Sequence, residues 1–383
     1  MPEETDTGRW IYLKNKLQWM LFALIFPEVI TGIGAEQWAS AFQCVQDLAE
    51  SGHTNWTMRH AFYANMGGFL LESPDFPAFP IDGQQIGYLV ERKYLNFPDI
   101  DEKTIWDKNK ADGFARAVTV VQIGWFCIQC IGRAIQHLPI STLELTTLTF
   151  IFCTLCTFFF WNHKPLDAET RIVLRTETPI AEVLVNAGDI ASKPYTRTPL
   201  DFVKPARSRT SMLTLFWLGL EILLNFDMES KHRPIRAFGE SKTTPPRGLR
   251  FSDLCFGLVF TFAYVGLHLV AWNFTFPTST ERILWRTASL SLAGLLVLYF
   301  ISDFIGVVYP RQAAQFFYGQ HAATIYDILA VSPPIMRYAP SAIVLTCYSL
   351  ARWYILVEGF VGLRALPMGV YKSVNWSNFI PHI

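Results

Sequence analysis

Charge is what this sequence has least of. Asp, Glu, Lys and Arg make up only 17% of the 383 residues, against about 25% in an average soluble domain. The 32 basic and 32 acidic residues cancel, which removes the electrostatic case for a nucleic-acid partner. The signatures of several enzyme classes are missing too. No Asp-rich DDxxD or NDxxD motif is present to hold magnesium and a diphosphate, so ionisation-type prenyl chemistry is disfavoured. No Walker A loop, GxSxG elbow or HExxH helix occurs. There is no internal repeat and no low-complexity tract, and a single membrane domain over 1–383 is the economical organisation.

Apolar residues are abundant instead. Hydrophobic side chains form 51% of the chain, with 31 Phe, 14 Tyr and 12 Trp. Such a composition disfavours disorder, coiled coil and a small disulfide scaffold, and points to an integral membrane protein. Most of the seven cysteines lie in apolar runs, where a thiol behaves as a small hydrophobe. Cys127/Cys130 and Cys153/Cys156 have zinc-ribbon spacing but lack a polar shell to orient thiolates, so no metal and no cofactor is expected.

The expected fold is all-α, a polytopic membrane bundle of about seven transmembrane helices joined by long polar loops. The stretches approaching the roughly 20 apolar residues needed to cross a bilayer are 17–35, 115–138, 141–161, 211–226, 253–274, 283–308 and 339–366. Pro139 and Ile140 join the second and third into an antiparallel hairpin, because Pro cannot continue a helix. The connections comprise a long aromatic and acidic loop at 36–113 and basic loops at 163–210 and 227–252. In this arrangement the sequons at Asn55, Asn273 and Asn375 share one face, as lumenal glycosylation requires, while the mildly basic 163–210 loop falls there against the positive-inside tendency.

An ionisable group inside hydrocarbon is expensive and therefore a candidate for function. Asp303, in LYFISDFIGVV, and Glu358, in YILVEGFVG, lie among apolar neighbours; burial would keep either protonated and able to donate a proton. A carboxylic acid hydrogen-bonded to a neighbouring helix is the plainer alternative for both. Glu28 follows Pro27, whose kink can turn it inward or simply pack it. Glu144 fits a capping box with Ser141. His137, His268 and Arg133 are possible partners. The stretch WTMRHAFYANMGGFLLE brings His60, Tyr63, Asn65 and Glu72 close in sequence, either as a pocket or as ordinary packing. Asp99-Ile100-Asp101-Glu102 has the look of the DxDD motif of protonating terpene cyclases, but in a charged loop a solvated turn explains it better.

WTMRHAFYANMGGFLLE, IWDKNKADGFAR, WFCIQCIGRAIQHLPISTLELTTLTF and FWNHKPLD resemble a large family of fungal multipass membrane proteins found in secondary-metabolite clusters. That family in turn resembles the membrane terpene cyclases of macrophorin- and ascofuranone-type meroterpenoid pathways. The resemblance covers about the first 170 residues well and the rest loosely. It implies proton-initiated cyclisation of a hydrophobic isoprenoid substrate taken from the lipid bilayer, in an endoplasmic-reticulum membrane. Asp303 or Glu358 would then be the proton donor, Glu28 and Glu72 alternates, and His60 or His137 the final proton acceptor. Tyr63, Trp125 and Phe159, with Asn65, would line the substrate cavity. Two other readings remain open: a transporter or structural membrane protein, and a wax-synthase-like acyltransferase with His268 as base.

Overall fold

The computed structural model describes residues 6–107, 112–165, 171–192, 194–195, 197–203, 251–308 and 334–379. Four helices among them are long and apolar enough to cross a membrane, at Ala117–Ile135, Thr142–Phe160, Phe256–Asn273 and Ala342–Ala365. They lie in helices α6 (Asp112–Ile135), α7 (Thr142–Phe160), α9 (Phe251–Val270 with the single turn after it) and α11 (Pro334–Val361 with the turn after it). These match the expected stretches 115–138, 141–161, 253–274 and 339–366. Expected span 283–308 falls within α10 (Ser279–Val308), a 30-residue helix that is not among those four. Span 211–226 and loop 227–252, save its last two residues, lie outside the described residues.

The expected span 17–35 is broken in its middle. Helix α1 (Asp6–Ile25) ends in the middle of it, and α2 (Pro27–Glu50) leaves at 108° to α1. Pro27 sits at the start of α2, where its missing N–H costs nothing and its fixed φ favours a new helix rather than continuation of the old one. The apolar run therefore reads as continuous in composition while the backbone is broken.

Two compact units emerge from the chain. The first draws its described residues from Met1–Ala115 and Cys156–Arg209. Here the expected loop 36–113 proves to be folded, and a small three-stranded sheet joins the otherwise helical chain. Helices α3 (Met58–Asn65), α4 (Gly83–Glu91), α5 (Glu102–Asp107) and α8 (Ile180–Ala187) accompany strands β1 (Phe69–Glu72), β2 (Phe79–Ile81) and β3 (Ile172–Arg175). The sheet order is β2-β1-β3, with β2 antiparallel and β3 parallel to β1. Phe62, Tyr63, Phe69, Leu71, Phe79, Ile81 and Ile86 form its core, each at most 1% exposed. Gly68 makes that packing possible: a Cβ there would stand 2.4 Å from the Tyr63 ring.

The second unit contains residues Arg116–Leu155 and the described part of Leu249–Ile383. Helix α10 packs along both α9 and α11, burying Tyr264, Trp285, Leu292 and Ile355. The opposite faces are greasy, with Val121, Val259, Phe262, Leu350 and Phe360 each more than 60% exposed. An apolar exterior around a packed interior is the arrangement that lipid as solvent requires. Thr146, Thr147, Thr149 and Thr154 return their hydroxyls to carbonyls four residues earlier in α7, so these polar side chains cost little in hydrocarbon.

The α6–α7 hairpin turns as its Pro-Ile joint predicts. His137 adopts a left-handed φ of 52° just past α6, and Ser141 and Glu144 form the expected capping box at the start of α7, with bonds of 2.8 and 3.2 Å. Arg133 pins the turn by donating to the carbonyls of Pro139, Val370 and Lys372 at 2.8–3.1 Å.

Candidate functional site

Glu358 lies in α11 within the span Ala342–Ala365 and is 3% exposed. Its Oε2 lies 3.4 Å from the Tyr354 hydroxyl, which donates to the Glu281 carbonyl at 2.9 Å. A phenol has one proton, so when Tyr354 gives it to Glu281 its remaining contact with Oε2 is favourable only if Glu358 supplies the hydrogen. Oε1 of Glu358 is buried with no hydrogen-bond partner. Such an orphan is costly and calls for a functional or strain explanation. Arg364, in the turn after α11, pairs with Glu281.

The orphan oxygen lies next to Gly362. Gly362 presents a bare α-carbon, and a Cβ added there would meet Thr142 Oγ1 at 3.3 Å and Glu358 Oε1 at 3.4 Å. Gly362 and Thr142 both line a shallow cleft with room for about one water molecule, together with Phe274, Phe276, Pro277 and Leu366. The start of α7, the segment after α9 and the end of α11 thus bring a hydroxyl and two phenylalanines to one opening, with the Glu358 carboxyl lying next to Gly362 at its edge. Chemically, this arrangement can deliver a proton to an apolar ligand and shield a cation beside the rings.

A second polar group of the same unit lies wholly inside. Arg352 is fully buried and donates to Nε2 of His268 at 2.9 Å. A guanidinium has no acceptor, so Nε2 is the acceptor and Nδ1–H donates to the Tyr264 carbonyl at 3.0 Å. Arg352 also stands 5.5 Å from the Phe150 ring centroid and 5.7 Å from that of Tyr264. Both imidazole nitrogens are therefore engaged, and His268 has none left to act as the base of an acyl transfer.

Several expected site residues have structural employment in the first unit. His60 is the N3 member of the α3 capping box. Its Nδ1 accepts from Thr57 N at 3.2 Å and its Nε2 is 2.8 Å from the Ile100 carbonyl, so it is not poised to take a proton from substrate. Tyr63 is sealed in the core against Phe69 rather than lining a cavity. Asn65 bonds Ser40 and the Gly83 amide at 3.3 Å each, tying α3 to α2 and α4. Glu72 is an exposed partner of Arg175 across the β1–β3 pair, at 2.8 Å. Glu28 is buried in the first turn of α2, where the helix dipole favours an acid.

The remaining expectations divide similarly. His137 is exposed at the end of α6, held by the turn rather than by a pocket. Trp125 is 53% exposed on α6 and packs on Trp376, while Phe159 is 68% exposed on α7. Both side chains turn outward on helices apolar enough to cross a membrane and do not wall a cavity. The side chain of Asp303 lies outside the described residues. Among those residues no three His, Cys, Asp or Glu side chains converge as metal ligands. Among the described residues, Glu358 is the expected acid whose carboxyl is buried next to Gly362, a residue that lines the cleft. Its neighbours Tyr354, Glu281, Arg364 and Thr142 were not singled out from sequence; neither was Arg352, although a cation inside the 339–366 run is the same kind of signal as Glu358.

No curated protein and no solved structure matches the chain. A family model, described as a family of unknown function (DUF8562), matches residues 37–187 and 255–383. The match takes in most of the folded first unit as well as all four candidate spans, and the chain belongs to that family.

Proposed function

We propose that this protein is a membrane-embedded terpene cyclase that closes rings on a prenylated substrate by protonation, with Glu358 as the acid. The observation that supports this reading is the buried Glu358 carboxyl with its partnerless Oε1 beside the Gly362 cleft. The resemblance to fungal meroterpenoid cyclases supports it too, and an endoplasmic-reticulum membrane suits a lipid-soluble substrate.

In the reaction the Glu358 O–H bond breaks and its proton adds to a terminal alkene or epoxide. The chain's own π-bonds then attack the carbocation, and Phe274 and Phe276 shield the migrating charge. Tyr354 completes the device. Once Glu358 is a carboxylate, the phenol turns its proton from the Glu281 carbonyl to Oε2, stabilising the charge left behind. Loss of a proton from the final cation restores the acid, so an alkene-initiated reaction is an isomerisation with no net proton and no diphosphate released.

Incubation of the purified protein with a farnesylated phenol, or its terminal epoxide, tests the assignment. The expected product has the substrate's mass and a new retention time. Glu358→Gln should lower turnover about 10²- to 10⁴-fold, the usual worth of a general acid. Unchanged substrate beside an active control cyclase, or full activity in Glu358→Gln, rejects the reading.

A further inference from the structure

Helix α1 carries a surface whose partner is neither the protein interior nor water. Phe22 is 3% exposed and packs on Phe26, with ring centroids 5.0 Å apart, and meets Trp19 edge-on. That face belongs to the protein. On the other side, Leu13, Leu17, Met20, Leu21 and Leu24 are all 45–61% exposed. At 3.6 residues per turn these five positions fall within an arc of about 100°. Lys14 and Lys16, both exposed, flank that arc on its two sides. An apolar stripe edged by lysines is the pattern of a helix lying at a bilayer surface, with methylenes in the acyl region and ammonium groups among the headgroup phosphates.

Length and direction argue against a straight crossing. The uncharged stretch 17–25 rises about 14 Å at 1.5 Å per residue, half of the roughly 30 Å hydrocarbon thickness. Helix α2 does not complete it, since it departs at 108° and carries Glu36, Gln37, Gln43, Gln46 and Asp47. Its last turns, through Ala41, Cys44 and Leu48, enter the core of the folded unit. Charge favours the same partner: Arg9, Lys14 and Lys16 outnumber Asp6 along α1.

We infer that α1 lies in the plane of the membrane interface, its Leu13–Leu24 stripe in the acyl boundary and its lysines at an anionic headgroup layer. This part of the chain is a surface anchor for the first unit and not a transmembrane span.

The test places a fluorescent amino acid singly at 13, 17, 20 and 24 in the full chain, in nanodiscs containing phosphatidylserine, and reads quenching by lipids spin-labelled at shallow or deep acyl positions. None of the four side chains is buried, so folding is preserved. All four are expected to be quenched at least about twofold more by the shallow label, with 13 and 24 at equal depth. Replacing Lys14 and Lys16 with Glu should reduce lipid quenching at all four. A depth increasing steadily from 13 to 24, by about 16 Å along an inserted helix, overturns the inference. Quenching by aqueous iodide without lipid quenching overturns it as well.

Discussion

Arg352 and His268 meet at 2.9 Å inside the second unit, 0% and 2% exposed. Their bond joins α11 to α9 through a cation that cannot lose its proton. The geometry makes the pair a structural bolt: one guanidinium nitrogen takes the imidazole and aromatic faces surround the rest.

Substituting Arg352 should therefore loosen the bundle rather than alter chemistry. Arg352→Met is expected to cost about 2–3 kcal/mol, the range for a hydrogen bond to a charged group in a buried setting. Arg352→Lys should recover little, because an ammonium lacks the planar fork. Thermal unfolding of the detergent-solubilised protein checks both. A double-mutant cycle with His268→Ala should show coupling of about 1–3 kcal/mol.

Gly362 gives an independent handle on the Glu358 cleft. In Gly362→Ala the new methyl meets Thr142 Oγ1 and Glu358 Oε1 at 3.3–3.4 Å, closing the space beside the acid. Turnover should fall at least about tenfold while the melting temperature moves by only a few degrees. Equal activity in the alanine variant would show that ligands do not approach Glu358 from that side.

Asp75 ties helix α8 to the β1–β2 connection by accepting from the amides of Ile180 and Ala181 at 2.7 and 2.9 Å. Those backbone bonds hold its carboxyl below the ordinary carboxylate range. A depressed folded pKa contributes stability at pH values above the unfolded one and loses it as pH falls through the folded one. Amide hydrogen exchange in α8 should therefore accelerate as pH drops below about 4, relative to the intrinsic rate. Asp75→Asn should show the faster exchange already at neutral pH.

Tyr63 gives the opposite limb. Burial pushes its phenol up to about 12. A raised folded pKa means that its contribution is whole below the unfolded value near 10 and is lost as pH rises through about 12. The first unit should lose stability over that window, and Tyr63→Phe should flatten the loss; tyrosinate absorbance and near-ultraviolet circular dichroism report the two together. Gly68→Ala, which drives a methyl into the same ring, should destabilise by about 1–3 kcal/mol at any pH.

Local signals were legible where local forces decide. Pro139 and the Ser141/Glu144 spacing specified the hairpin and its cap, because a missing N–H and an i, i+3 side-chain bond act within one turn. Apolar length identified α6, α7, α9 and α11. The same reasoning ran one span through Pro27; a kink there was readable from the proline, but not its 108° angle, since hydropathy averages over a window and registers no backbone angle. It also took 36–113 for a loop: β1 lies beside Ile172–Arg175, far along the chain, and strands of three or four residues leave no readable alternation. His60, Asn65 and Glu72 look like a site in one dimension because they are close in sequence. In three dimensions each is turned toward a different structural bond.

The sequence by itself determined which of its stretches are long and apolar enough to cross a membrane, as α6, α7, α9 and α11 are, and where the hairpin turns. Those properties follow from composition and from interactions within a few residues. Only the tertiary structure decided which of the ionisable groups are partnered. Arg352 is answered by His268 and Oε1 of Glu281 by Arg364, while Oε2 of Glu281 and Oε1 of Glu358 are buried with no hydrogen-bond partner. Desolvation and hydrogen bonding depend on neighbours brought in from other helices, and no pattern along a single helix records who those neighbours are.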